Sequence, residues 1–125
     1  MRIIITEPFG RKLKKLKKKY PSIKNDLSGL LSDMEDGKIS GDPIPGLFNK
    51  VFKVRAGSSD MKKGKSGGFR IIYYVDNENG EIYLLTVYAK TKNENIPVKD
   101  IQAVLKELDL KFKPSGSDNV QLSEP

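Results

Sequence analysis

Apolar residues recur along this chain in two rhythms, and each change of rhythm marks a new element. Residues 2–6 alternate around three isoleucines, Ile3 and Ile5 to one side and Ile4 to the other, which predicts a short strand. Pro8 suits the first turn of a helix. Phe9, Leu13, Leu16 and Tyr20 then follow at helical spacing until Pro21 stops the pattern. Ser22 is placed to cap a second helix with the stripe Ile23, Leu27, Leu30, Leu31 and Met34, closed by Gly37. A connector rich in Gly and Pro leads to residues 50–55, where Phe52 and Val54 take one face of a strand and Val51, Lys53 and Arg55 the other. Residues 69–75 and 82–88 read as two more strands, joined by Asp76-Asn77-Glu78-Asn79-Gly80, whose Asn-Gly supplies the positive φ of a hairpin turn. Pro97 leads a last helix with Val98, Ile101, Val104, Leu105 and Leu108 as its buried stripe.

This order (strand, two helices, three-strand meander, helix) predicts an α+β fold. Its expected form is a four-stranded, antiparallel-rich sheet with the helices on one face, leaving chemistry to the uncovered face or rim. The chain reads as one domain over residues 1–113, followed by a disordered tail over 114–125, where Ser, Gly, Asp and Asn take over.

Composition narrows the chemistry. Among 125 residues there is no cysteine and no histidine. Disulfides and thiolate metal sites are thereby excluded, and so are the commonest general base and metal ligand. No apolar run approaches the ~20 residues that span a bilayer, and the apolar run at the N-terminus is too short for a secretory signal, so a cytoplasmic location without membrane contact is expected. The net charge of +7 favours a polyanionic partner. No Walker loop, nucleophile elbow, dinucleotide fingerprint or metal-ligand pattern occurs, and no cofactor is expected.

The most informative segment is Gly64-Lys65-Ser66-Gly67-Gly68-Phe69-Arg70-Ile71-Ile72-Tyr73-Tyr74-Val75, a cationic Gly/Ser loop running into an apolar strand with an arginine at its second position. Glycines let the loop approach a ligand closely, and an arginine can grip phosphate through two parallel hydrogen bonds. Lys53 and Arg55 share a strand face, Arg70 lies on a strand expected to pair nearby, and Lys62, Lys63 and Lys65 hang from the loop between them. Gathered cations are costly unless an anion visits them; the bland alternative is a rim of edge-strand lysines. The first helix carries Arg11, Lys12, Lys14, Lys15, Lys17, Lys18 and Lys19, read either as a phosphate-contacting face, with Arg11, Lys12, Lys15, Lys18 and Lys19 as RNA-binding candidates, or as a solvated surface. Tyr88 ends its strand just before Lys90 and Lys92, within reach of a site at the sheet's edge.

These segments, with Phe52-Lys53-Val54-Arg55 and Leu84-Leu85-Thr86-Val87-Tyr88-Ala89-Lys90, resemble the RelE/ParE superfamily of type II toxin–antitoxin toxins, and within it the HigB-like branch. The resemblance covers residues 1–108. It implies a toxin that enters the ribosomal A site, cuts mRNA as a metal-independent endoribonuclease, and is held inactive by a cognate antitoxin with a helix-turn-helix DNA-binding domain. Carried onto this sequence, the family's catalytic positions are Lys53, Arg55, Arg70 and Lys90 or Lys92, with Lys65 a looser match. Arg70 and Arg55 would grip the scissile phosphate, Lys53 accept the 2′-hydroxyl proton, Lys90 or Lys92 serve the leaving oxygen, and Tyr88 orient a base. One departure stands out: some RelE members carry a tyrosine in the last helix region, and this chain has none after Tyr88. ParE members act on DNA gyrase instead, and a non-catalytic RNA- or antitoxin-binding module is the third reading.

Overall fold

Thr6 starts the fold by serving two elements at once. In the computed structural model, which describes residues 1–61, 67–90 and 96–108, its buried hydroxyl donates to the Leu84 carbonyl at 2.6 Å and accepts from the Phe9 N–H at 3.4 Å. Strand β1 (Arg2–Ile5) is thereby tied to its neighbour, and helix α1 (Glu7–Lys19) receives its N-terminal cap. Phe9 and Tyr20 are buried at the two ends of the α1 stripe, with Leu13 and Leu16 packed between them.

Helix α2 (Ile23–Glu35) buries Ile23, Leu27 and Met34, and Gly37 ends it at φ +84°. Its cap differs from the sequence expectation. Ser22 occupies the N-cap position, but its side chain caps nothing; the carboxylate of Asp60 accepts from the Ser22 N–H at 2.8 Å. In return Asp26 of α2 accepts from the Ser59 N–H at 3.0 Å, so the chain after the third strand is clasped to the start of this helix.

The remaining elements are β2 (Asp42–Pro43), β3 (Val51–Ala56), β4 (Phe69–Asp76), β5 (Glu81–Ala89) and α3 (Val98–Glu107). They complete a sheet of order β1-β5-β4-β3-β2, antiparallel except for the parallel β1–β5 pair. The expected α+β architecture and meander hold, and Gly80 turns the hairpin at φ +64°. Two details differ from the expectation. The sheet has five strands, because Gly41 at φ +93° lies directly on the Lys53 carbonyl, where a Cβ would collide. That contact lets Asp42 and Pro43 pair with Lys53 and Phe52, and Pro43, lacking an N–H, stands at the outer edge where none is needed.

The helices also occupy both faces. Phe69, Ile71, Tyr73 and Val75 of β4 join the core under α1 and α2, while Ile72 and Tyr74 join a second core with Ile101 and Leu105 of α3. A strand apolar on both sides needs two covers. Two single residues depart from their expected stripes: Ile5 and Val98 are exposed, each at an element's end. The expected tail at 114–125 and the candidates Lys62, Lys63, Lys65 and Lys92 lie outside the described residues.

Candidate functional site

Alternation along β3 puts Val51, Lys53 and Arg55 on the α3 side of the sheet, since Phe52, Val54 and Ala56 pack under the other two helices. Register then builds a row. Arg55 stands opposite Arg70, and Arg70 opposite Tyr88, so three side chains from three strands lie abreast across ~10 Å. Lys53 belongs to the next row, opposite Ile72, about 7 Å along the strand from Arg55. Helix α3 rests on Val51, Ile72, Tyr74 and Leu85, Tyr88 packs against the rim of that cluster, and Arg55 and Arg70 lie beyond it. Arg55 is exposed, while Arg70 and Tyr88 are half-buried. This face is therefore apolar under the helix and cationic beyond it.

Tyr88 reaches that row through an irregularity. Ile82 and Leu84 face the α1/α2 core, and strict alternation would turn Tyr88 the same way. The pairing of β4 with β5 shifts between Ile72 and Tyr73: Ile72 faces Thr86 and Tyr73 faces Leu84, with Leu85 as the extra residue. After this bulge Val87 and Ala89 take the α1/α2 side, and Tyr88 comes round beside Arg70. No turn residue marks the bulge in Leu84-Leu85-Thr86, so the sequence gives no signal for it.

Arg70 is held from behind by its own approach strand. Its guanidinium Nη1 donates to the Gly67 carbonyl at 3.1 Å and, more weakly, to the Phe69 carbonyl at 3.4 Å. Gly68 sits at φ +90° against the Ala56 carbonyl, where a Cβ would collide. Its N–H donates to the Met61 sulfur at 3.1 Å, and its carbonyl accepts from the Lys90 N–H at 2.9 Å. The glycine pair thus locks β3, β4 and the exit of β5 together at the cationic end. Burial holds the Arg70 proton affinity below the ordinary arginine range, the neighbouring Arg55 charge lowers it further, and Tyr88 partly offsets both. Arginine stays charged regardless. That direction reflects a cation first withdrawn from water and then set beside a like charge, and an anion between the two guanidiniums would relieve both.

The cations of α1 fall into two groups. Lys12, Lys15 and Lys19, with Leu16, Val87 and Tyr88, line a cleft of about 300 Å³ along the outer edge of β5. A smaller cleft of about 200 Å³ adjoins it between α1 and α3, past Thr86 to Val104, and there Arg11 joins Lys12 and Lys15. Arg11 is also paired with Glu7 at 2.7 Å. Lys18 lines neither cleft. The structure thus brings Arg55, Arg70, Tyr88 and Lys90 to one end of the sheet, sets Lys53 one row further in beside Ile72, and brings Arg11, Lys12, Lys15 and Lys19 to an adjoining groove. The site also depends on Gly68, which lies in the Gly/Ser segment that the sequence marks, and on Gly41 and the Leu85 bulge, which the sequence does not mark.

No known family's sequence model matches the chain. Among solved structures, the E. coli toxin RelE, in a mutant with two arginines changed to alanine and in the free state, superposes with a TM-score of 0.51. The two chains are 18% identical, and the match covers 86% of this chain and 96% of that one. At this identity the likeness establishes the fold: the chain has a RelE-like α+β architecture.

Proposed function

We propose that this protein is the toxin of a type II toxin–antitoxin system, an endoribonuclease that cuts mRNA on the ribosome and is neutralised by a helix-turn-helix antitoxin. The observation that carries this reading is the Arg55–Arg70–Tyr88 row, with Lys53 and Lys90 beside it, at the open end of a RelE-like sheet. Fold alone assigns no reaction, so the argument rests on the site.

RNA carries its own nucleophile. The 2′-hydroxyl attacks the adjoining phosphorus, a 2′,3′-cyclic phosphate forms, and the P–O5′ bond breaks to release a 5′-hydroxyl. The protein must align these groups in line and stabilise the charge growing on the phosphate oxygens, which together supply most of the acceleration. Arg70 and Arg55 face each other across a strand pair, a spacing that allows one phosphate to be gripped from two sides. Lys53 takes the 2′-hydroxyl proton, and Lys90 gives one to the leaving 5′-oxygen. Tyr88 stacks on or orients the flanking base, standing in for the family's later tyrosine.

Purified protein added to programmed ribosomes should cut the message within the A-site codon, read by primer extension. Arg70→Ala should lower that cleavage by about 10²–10³-fold. Arg70→Lys should fall between the two, because it keeps the charge and loses the two-pronged grip. Unchanged cleavage by Arg70→Ala removes the proposed mechanism, and supercoiling failure before translation failure on induction would identify a gyrase-directed toxin instead.

A further inference from the structure

We infer that the two clefts between α1 and the outer edge of β5 form one trough, which carries the backbone of a single-stranded polynucleotide up to the Arg55–Arg70–Tyr88 row. The clefts share Lys12 and Lys15 and therefore lie side by side, and Tyr88 belongs both to the trough and to the row. Along α1 the trough extends from Arg11 to Lys19, ~12 Å at helical rise. Along β5 it runs from Thr86 to Ala89, ~10 Å. That length holds about three phosphates at the ~3.4 Å axial spacing of a stacked strand.

The cations suit such a ligand. Lys12, Lys15 and Lys19 recur on one helix face, all three are exposed, and among the described residues none has a carboxylate partner. Lys19 instead stands over the Tyr20 ring, 5.6 Å from its centre. Three like charges on successive turns repel one another and persist at a cost that a polyanion removes. The floor of Leu16, Val87 and Val104 is apolar, a surface for sugars and base edges. Regular repetition separates a polynucleotide from an acidic polypeptide here: the positive charges recur along α1 and resume beyond Tyr88 at Arg70, Arg55 and Lys53. The strand's source is either the message or ribosomal RNA, which share this backbone chemistry.

Only the destination of the strand rests on the nuclease reading; binding is measurable without cleavage. The test compares a trough triple, Lys12→Gln, Lys15→Gln and Lys19→Gln, with a charge-matched triple on the same helix, Lys14→Gln, Lys17→Gln and Lys18→Gln. Circular dichroism checks that both fold. Binding of a short single-stranded 2′-deoxy oligonucleotide, which lacks the attacking hydroxyl, is followed by fluorescence anisotropy between about 50 and 200 mM salt. At about 0.7 per phosphate, the trough triple should flatten the log–log salt slope by about 2, a loss of roughly tenfold or more in affinity at the low-salt end, and the control triple by less than half as much. Co-sedimentation with ribosomes is measured in parallel. Loss confined to the oligonucleotide assigns the message as source, and loss confined to ribosomes assigns ribosomal RNA. The inference falls if the two triples behave alike in both assays, or if the trough triple spares both and loses only polyglutamate binding. A wild-type protein that binds the oligonucleotide as expected but cuts nothing would refute the nuclease reading alone.

Discussion

Arg70 and Tyr73 lie three residues apart on β4 and face opposite sides, one half-buried at the cationic end of the sheet and the other closed in the core. Burial and the Arg55 charge both act against the Arg70 cation, so the residue is kept where it is costly, as binding residues often are. Tyr73 is fully buried, stacked against Phe52 with ring centres 5.6 Å apart. Its hydroxyl donates to the Ser40 carbonyl and accepts from the Ser40 N–H at 3.1 Å. That pair of bonds fixes the residue before Gly41, and so the placement of β2 against Lys53. Burial pushes the Tyr73 hydroxyl above the ordinary tyrosine range, outweighing the lowering effect of Ser40. The folded state therefore favours the protonated form. Its contribution is whole below the unfolded value of about 10 and is lost as pH rises through the folded value. Tyr73→Phe should cost about 1 kcal/mol near neutrality through the lost hydrogen bonds. In urea denaturation the gap between wild type and Tyr73→Phe should narrow from pH ~8 to pH ~11; a constant gap would mean that Tyr73 does not titrate with folding.

At the scale of elements, the site is a product of register. The pairing of Arg55 with Arg70 follows from alternation in β3 and β4, and both were legible: Lys53 and Arg55 interrupt an apolar pattern every second residue, and Asn79-Gly80 anchors the hairpin. The two-sided cover of the sheet was legible too, in the unbroken run Ile71-Ile72-Tyr73-Tyr74-Val75, though the single-face expectation passed over it. Strand β2 was not, because two residues ending in proline carry no strand pattern and depend on Gly41 touching a carbonyl far along the chain. The Leu85 bulge was hidden for a similar reason: Leu84 and Leu85 are alike in sequence, and only packing decides which of them is extra. The meeting of α1 with β5 is equally a matter of packing, so the sequence names the lysines of α1 without saying which of them share a groove with Tyr88. Gly68 tests the junction most directly. Gly68→Ala would place a methyl against the Ala56 carbonyl in a backbone region that costs a side chain about 1–3 kcal/mol. Thermal unfolding should show that loss. Cleavage should fall further than the residual folded fraction explains, because β3 and β4 are forced apart at the end that holds Arg55 and Arg70. Activity that tracks the folded fraction would show that the glycine serves stability alone.

For the molecule as a whole, the charge distribution opposes folding as much as it prepares for a ligand. The net charge is +7, and α1 alone holds one arginine and six lysines against a single glutamate. Lys17, Lys18 and Lys19 gain something from the negative end of the helix dipole, an effect confined to the last turn. Arg11 has Glu7, an exposed pair worth about 0–1 kcal/mol. The repulsion among the others acts over distances near the ~10 Å Debye length at 0.1 M salt, so added salt should weaken it substantially. The unliganded protein should therefore melt at a higher temperature as sodium chloride rises from about 10 to 200 mM, the reverse of a fold held by surface ion pairs. A bound polyanion should do the same at low salt by mass action, adding about 2.7 kcal/mol at a hundredfold excess over its dissociation constant. The two effects compete, since salt that screens the lysines also releases the polyanion. The melting temperature with oligonucleotide present should thus first fall and then rise along the salt series, meeting the ligand-free curve at the high end. A ligand-free melting temperature that drops with salt would mean that the cations are already balanced within the folded chain, and the positive surface would then need no partner to explain it.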